Sequence, residues 1–164
     1  ANVIFIKKLL QDELEKEVRN KIVDNIFEKI LNVDQESFAK DLYLNFEQIK
    51  YMKEKGMHFG SHGCNHFRFS YLNKKQQEFE IKESLKFLKL INKNTEKWTM
   101  CYPYGDYNQV TLDLIKKHNC SLGLTINPNI ADIQKNSRYE LPRLDTNDIP
   151  KNKNAKPNKW YHNC

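Results

Sequence analysis

The sequence has few of the features that mark several common classes of protein. Only four of its 164 residues are cysteines, and no two have CxxC spacing, so a disulfide framework is not indicated. No apolar run is long enough to cross a bilayer, and the opening ANVIFIKKLL lacks the basic segment and cleavage site of a signal peptide. Only four of the 27 basic residues are arginines, which argues against a nucleic-acid surface.

What is present suits one soluble globular domain. Hydrophobic residues make up 39% of the chain and charged residues 29%, and the net charge is +6. The lysines are scattered among acidic residues on helical stretches, which predicts solvated helix faces. We predict a single domain over residues 1–150, followed by a Lys/Asn-rich tail over residues 151–164.

Short apolar runs alternate with helical patterns along the chain. A β-rich run, NVIFI, predicts a buried strand, and the apolar residues at spacing four from Leu10 to Ile30 predict a long amphipathic helix. Alternating strands and helices are typical of βα units, hence of a parallel sheet or barrel whose sites lie at the carboxyl ends of the strands. The later predicted strands are MHFGSH, KWTMCY, SLGLTI and YELPRL.

Helix boundaries in the middle of the chain carry capping signals. Asn45 is predicted to cap one helix that Gly56 ends in a left-handed conformation. Asn73 with Gln76 three residues later has capping-box spacing, and Asn108 is placed to cap the helix QVTLDLIKKH.

Two histidines four residues apart, His62 and His66, form the most informative local pattern. Gly60 and Gly63 exclude a helix across the segment, so both imidazoles are expected in a loop after a strand. Imidazole suits zinc and similar divalent ions, and a catalytic zinc usually takes three protein ligands. The third is either Cys64 or a carboxylate from another strand end, and a plain hydrogen-bonded loop is the alternative to a metal site.

Three stretches in order, GMHFGSHGCNH, CYPYGDYN and LPRLD, resemble successive motifs of the polysaccharide deacetylase family, also called the NodB-homology domain. The resemblance implies an α/β fold of the distorted (β/α) barrel type. It also implies removal of N-acetyl groups from the sugars of a polysaccharide or cell-envelope glycan. The implied cofactor is a divalent metal, with Zn²⁺ favoured and Co²⁺, Ni²⁺ or Mn²⁺ as alternatives.

The resemblance also implies roles for particular residues. His62 and His66 match the two histidine metal ligands of the family. Pro103, Tyr104 and Gly105 match the segment that contacts the substrate, and the backbone N–H of Tyr104 matches an oxyanion-hole donor.

Later in the chain the match is less complete. Arg143 matches an arginine that holds a catalytic aspartate in one branch of the family, and Asp145 is expected in the same polar network. Cys101 stands where the family often has an arginine, and no late motif with an acid histidine is evident. The family's Asp-Asp pair, which supplies a metal ligand and the general base, occurs nowhere in the sequence.

These departures set further expectations. ANVIFI resembles the family's second strand, so the chain is expected to lack the first βα unit, to bind metal weakly and to be inactive as given. Exposed sheet edges would favour a homodimer. Free thiols favour a cytoplasmic location, with the periplasm or cell envelope as the alternative.

Three other readings stay open. The domain could be a non-catalytic carbohydrate-binding remnant with Trp98, Tyr102, Tyr104 and Tyr107 lining a groove. The His-Cys-His loop could be a structural metal module. Nucleic-acid binding is a further alternative, which strongly salt-dependent affinity would reveal.

Overall fold

The computed structural model describes residues 2–31, 33–92, 97–152, 154 and 159. The chain divides into two compact units, Ala1–Gln48 and Ile49–Cys164. The domain boundary predicted near residue 150 stays a prediction. His162, Cys164 and most of the predicted tail lie outside the described residues.

The first unit is helical. Its α-helices are α1 (Asn2–Lys8), α2 (Lys16–Ile26) and α3 (Gln35–Leu42), and π-helical turns cover Leu9–Glu13 and Phe27–Leu31. The prediction that NVIFI forms a strand is therefore wrong, since these residues lie in α1. A helix satisfies its backbone hydrogen bonds locally, whereas β-propensity is expressed only when a neighbouring strand is there to pair.

The apolar stripe predicted for residues 10–30 is interrupted and remains exposed. The backbone is extended at Leu14, between the first π-helical turn and α2, so one continuous helix does not form. None of the described residues in 2–31 and 33–48 is buried, and Ile30 is 73% exposed. The stripe is thus amphipathic in sequence, but it builds no core within this unit.

The second unit mixes helices with a small sheet. Helix α4 (Phe46–Glu54) begins in the first unit and continues into the second. The other elements are α5 (Lys74–Ile91), β1 (Trp98–Cys101), α6 (Gln109–Lys117) and β2 (Cys120–Leu124), with 3-10 turns at Phe69–Tyr71, Pro103–Gly105 and Thr146–Asp148. The capping predictions are confirmed. Asn45 accepts a hydrogen bond from the N–H of Gln48 at 2.9 Å, and capping boxes open α5 at Asn73 and α6 at Asn108. Gly56 ends α4 with φ of 85°.

β1 and β2 pair in parallel, so their carboxyl ends lie at the same edge of the sheet. Cys101 lies opposite Leu124 in the register. One parallel bridge joins Ser61 to Met100 on one side, and another joins Leu124 to Leu141 on the other. The predicted strands MHFGSH and YELPRL each contribute a single bridge. Over the described residues the sheet has two strands, so the predicted barrel is not seen as a closed structure.

Aromatic residues that could have lined a sugar groove lie instead in the core. Trp98 and Tyr102 are each 1% exposed, and their polar atoms bind backbone carbonyls of His118 and Tyr139. Other fully buried apolar side chains include Phe69, Ile81, Met100, Leu114 and Ile115. The hypothesis that Trp98 and Tyr102 line a sugar-binding groove is therefore wrong.

Across the described part of the chain, no helix combines the length and apolar character needed to cross a membrane.

An exposed ionic cluster joins α5 to α6. Glu78 Oε1 accepts hydrogen bonds from Lys117 Nζ at 2.9 Å and from Lys82 Nζ at 3.2 Å. The bond from Lys117, followed by that from Lys82, lowers the pKa of Glu78 from 4.5 to about 2. A carboxyl whose pKa falls on folding stabilises the fold above its unfolded-state pKa.

We therefore predict that Glu78→Gln lowers the melting temperature at neutral pH. The difference from the unsubstituted protein should shrink as the pH falls from 4.5 toward about 2, because both proteins then carry a neutral side chain. Thermal unfolding followed by circular dichroism across this range checks it. Glu83→Gln is the control, since Glu83 pairs with Lys86 on its own helix. A difference independent of pH would contradict the prediction.

Candidate active site

The histidine loop, residues 62–66, begins after Ser61, which pairs with Met100 near the carboxyl end of β1. Ser61 N–H donates to the carbonyl of Thr99 at 2.8 Å, and Cys101 N–H donates to the carbonyl of Ser61 at 2.9 Å. Gly60 permits this approach, because a Cβ there would lie 2.3 Å from Thr99 Oγ1. His62 therefore leaves the sheet edge at the end of a parallel strand, where sites form in α/β folds.

The hydrogen bond of His62 fixes its tautomer. Nδ1 lies 2.7 Å from the carbonyl oxygen of Cys101. A carbonyl can only accept, so in the neutral imidazole Nδ1 carries the proton and Nε2 keeps a lone pair. Histidines that bind metals commonly donate the second ring N–H to a backbone carbonyl in this way. His62 thus has the form that a metal ligand requires.

His66 is held next to His62 in an unusual backbone conformation. Its φ is 57°, in the left-handed region that non-glycine residues seldom adopt. The two imidazole centroids lie 4.7 Å apart with the rings 62° from coplanar. Burial, and to a smaller extent the nearby His62, lowers the pKa of His66. The neutral imidazole, which is the form that binds metal, is favoured as a result.

The turn Pro103–Gly105 packs against this pair. The ring of Tyr104 lies 4.6 Å from that of His66, and the guanidinium of Arg68 lies 4.4 Å from the Tyr104 ring centroid. Tyr104 has φ of 58°, and strained residues of this kind cluster at functional sites. Its N–H belongs to the first turn of a 3-10 helix, where donors have no acceptor within the helix.

A carboxylate joins the two motif regions. Asp106, directly after the Pro103–Gly105 turn, accepts from Ser70 N–H at 2.7 Å and from Ser70 Oγ at 2.8 Å. Ser70 lies four residues after His66 in the chain. The turn that carries Tyr104 is therefore tied to the segment that follows the histidine loop.

Arg143 and Asp145 each make their hydrogen bonds to other residues. Arg143 Nε donates to the carbonyl of Thr125, just beyond β2, at 2.9 Å. Asp145 caps the last 3-10 turn, and the N–H of Asn147 lowers the pKa of its carboxyl. Arg143 contributes only a small further lowering of that pKa. The catalytic roles of both residues stay predictions.

Cys64 lies between the histidines but is poorly suited to ligate. Burial raises the pKa of its thiol, and Glu80 and Glu83 raise it further. A raised thiol pKa disfavours the thiolate, which is the metal-binding form. Among the described residues, no three His, Cys, Asp or Glu side chains are grouped to hold a metal ion, so the His-Cys-His module is not formed.

Glu80 is a site residue that the sequence interpretation missed. It lies on α5, is 2% exposed, and accepts hydrogen bonds from the backbone of Cys64 and Asn65. In the sequence it is one of three glutamates on a charged helix. The available signal was its position eleven residues before Ile91, a spacing of three turns that places it on the apolar face of that helix.

Comparison with known proteins identifies the family. The polysaccharide deacetylase family model matches residues 21–123, well over half of the chain. The chain belongs to the polysaccharide deacetylase family. The match includes the histidine loop and the Pro103–Gly105 turn, but it ends before Arg143 and Asp145.

Two named deacetylases are similar to the chain, one in sequence and one in both sequence and fold. YxkH of Bacillus subtilis strain 168, named as a polysaccharide deacetylase, is 31% identical over 103 residues, which are 62% of this chain and 36% of YxkH. The Streptococcus pyogenes deacetylase PplD, solved in complex with acetate, is 32% identical with a TM-score of 0.57 over 62% of this chain and 44% of PplD.

A more distant structure shows the fold alone. The de-N-acetylase from Aggregatibacter actinomycetemcomitans is 20% identical with a TM-score of 0.51, and the match covers 62% of this chain and 48% of that one. The present chain therefore spans less than half the length of each of these relatives.

The tautomer of His62 gives a direct test of the site geometry. We predict that long-range ¹H–¹⁵N spectra of the metal-free protein show the proton of neutral His62 on Nδ1, because Cys101 offers only an acceptor. His58 is the internal control, since its ring contacts the Thr99 hydroxyl, which can donate or accept. A proton on Nε2 of His62 would contradict the geometry.

Proposed function

We propose that the chain is a metal-dependent hydrolase domain that removes N-acetyl groups from sugars of a polysaccharide or cell-envelope glycan. The observation that carries the proposal is the pairing of His62 and His66 beside Tyr104. All three residues lie within the part of the chain matched by the family model.

The two histidines fit a divalent metal as two of its ligands. His62 presents Nε2 because its Nδ1 is bound to a carbonyl, and the lowered pKa of His66 favours its neutral form. A bound divalent ion such as Zn²⁺ would lower the pKa of a coordinated water and polarise the amide carbonyl. Nitrogen ligands are consistent with Zn²⁺ or Co²⁺ and argue against Mg²⁺ or Ca²⁺, which prefer oxygen.

Other residues of the site would bind and orient the acetyl group. The N–H of Tyr104 would donate to the oxygen that becomes negatively charged in amide hydrolysis. Its ring, held between His66 and Arg68, gives the substrate a partly exposed aromatic surface. In the reaction, the oxygen of water bonds to the acyl carbon, the C–N bond breaks, and the amine leaves with a proton.

We also propose that this chain by itself binds metal weakly and does not turn over substrate. An Asp-Asp pair occurs nowhere in its 164 residues. Asp145 is a poor candidate for general base, because hydrogen bonds to Asn147 lower its pKa and so reduce its basicity. That the solved relative PplD holds acetate supports an acetyl substrate.

Metal titration tests the ligand assignment. We predict that His62→Asn and His66→Asn each abolish Zn²⁺ binding measured directly by isothermal titration calorimetry at concentrations suited to weak binding, because one remaining imidazole cannot chelate. His58→Asn is the matched control and should bind as the unsubstituted chain does, since His58 bonds to Thr99 outside the pair. Equal Zn²⁺ affinity in all four proteins would contradict the proposal that His62 and His66 bind a metal ion.

An activity assay tests the second part. The chain is incubated with N-acetylglucosamine oligomers and Zn²⁺ or Co²⁺, and released acetate is measured. No release above the metal-only blank is expected. Acetate release that depends on His62 would establish deacetylation and refute the proposed inactivity. Release that does not require His62 would refute the assignment of the site.

A further inference from the structure

The turn between the two histidines is held from outside by a single carboxylate. Glu80 Oε2 accepts hydrogen bonds from the N–H groups of Cys64 at 2.8 Å and Asn65 at 2.7 Å. Its second oxygen, Oε1, accepts from Asn65 Nδ2 at 2.6 Å. The Gly63–Asn65 turn is thus attached to one side chain by three hydrogen bonds to an ionisable acceptor, a type of bond stronger than one between neutral groups.

Glu80 is well placed to hold this turn rigidly. It is only 2% exposed, and a buried carboxylate is costly unless hydrogen bonds replace its water. The packing around it is tight as well. A Cβ at Gly63 would lie 3.3 Å from Glu80 Oε2 and 3.4 Å from a ring carbon of Phe69. Movement of the turn would therefore break hydrogen bonds and disturb packing together.

α5 contacts the histidine loop at a second point. Ser84, four residues after Glu80 and thus on the same helix face, has its hydroxyl 2.7 Å from that of Ser61. Ser61 precedes His62, and Asn65 precedes His66. One helix face therefore fixes the residue before each histidine, so the separation of the two imidazoles is set by α5.

We propose that Glu80 is a positioning residue, which holds His62 and His66 at the separation needed to bind one metal ion. The inference rests on the proposed function, because it assigns Glu80 a role toward the metal of that site. Glu80 contacts neither imidazole in the structure, and it acts through Cys64 and Asn65. Groups that orient metal ligands without touching the metal commonly have a large effect on metal affinity.

The first test removes the acceptor. Glu80→Ala should weaken Zn²⁺ binding by about 10- to 100-fold, the usual effect of losing a group that orients ligands. Hydrogen exchange of the Cys64 and Asn65 amides should become faster even without metal. Glu83→Gln is the matched control, because Glu83 lies one turn further along the same helix and pairs with Lys86. Its charge acts on Cys64 only through space, so it should change both measurements far less than Glu80→Ala does.

A second set of substitutions, which exchanges the donor and the acceptor, tests the role of Glu80 even if Glu80→Ala fails to fold. Asn65 is exposed, so Asn65→Asp should fold, but it places a carboxylate against that of Glu80 and should weaken Zn²⁺ binding. Adding Glu80→Gln turns the contact around, since the amide introduced on α5 can donate to the carboxylate introduced in the turn. The double substitution should recover most of the lost affinity, which a merely destabilising change would not do.

The outcomes separate this inference from the proposed function. Unchanged amide exchange in Glu80→Ala or Asn65→Asp would overturn the role of Glu80, and so would faster exchange with unaltered Zn²⁺ affinity. If the unsubstituted chain binds no Zn²⁺, the metal dependence in the proposed function is wrong. Amide exchange then decides by itself whether Glu80 holds the turn.

Discussion

The parallel pairing of Ser61 with β1 is the constraint on which the site depends. Two backbone hydrogen bonds, to Thr99 and from Cys101, bring the chain to the carboxyl edge of the sheet. Because of that register, His62 can reach the Cys101 carbonyl, and the loop after it returns His66 to the same place. Gly60 makes the pairing sterically possible, since Thr99 leaves no space for a Cβ.

Around this pairing, buried or capping carboxylates hold the loops in place. Glu80 fastens the turn between the histidines to α5, and Asp106 fastens the Pro103–Gly105 turn to Ser70. Two non-glycine residues of the site, His66 and Tyr104, have positive φ. Such conformations cost about 1–3 kcal/mol each and persist only where surrounding contacts determine them. Glu80 and Asp106 fix the chain next to these two residues, Glu80 by its hydrogen bond from Asn65 and Asp106 by its own hydrogen bonds from Ser70.

Features that depend on a few neighbouring residues could be predicted from the sequence. The caps at Asn73 and Asn108 and the left-handed Gly56 are local, so their sequence signals were sufficient. Strand formation by NVIFI was predicted wrongly because a strand needs a partner, whereas a helix does not. The order of three motifs led to the family. Glu80 was missed because its role arises only when α5 packs against the loop.

The central claim is that His62 and His66 bind one metal ion while Cys64 does not. X-ray absorption of the Zn²⁺-loaded protein tests this most directly, since nitrogen and sulfur ligands differ in distance. The account predicts a shell of nitrogen and oxygen ligands at about 2.0–2.2 Å, with an imidazole pattern and no sulfur. A sulfur ligand at about 2.3 Å would contradict it, because Cys64 would then be a ligand.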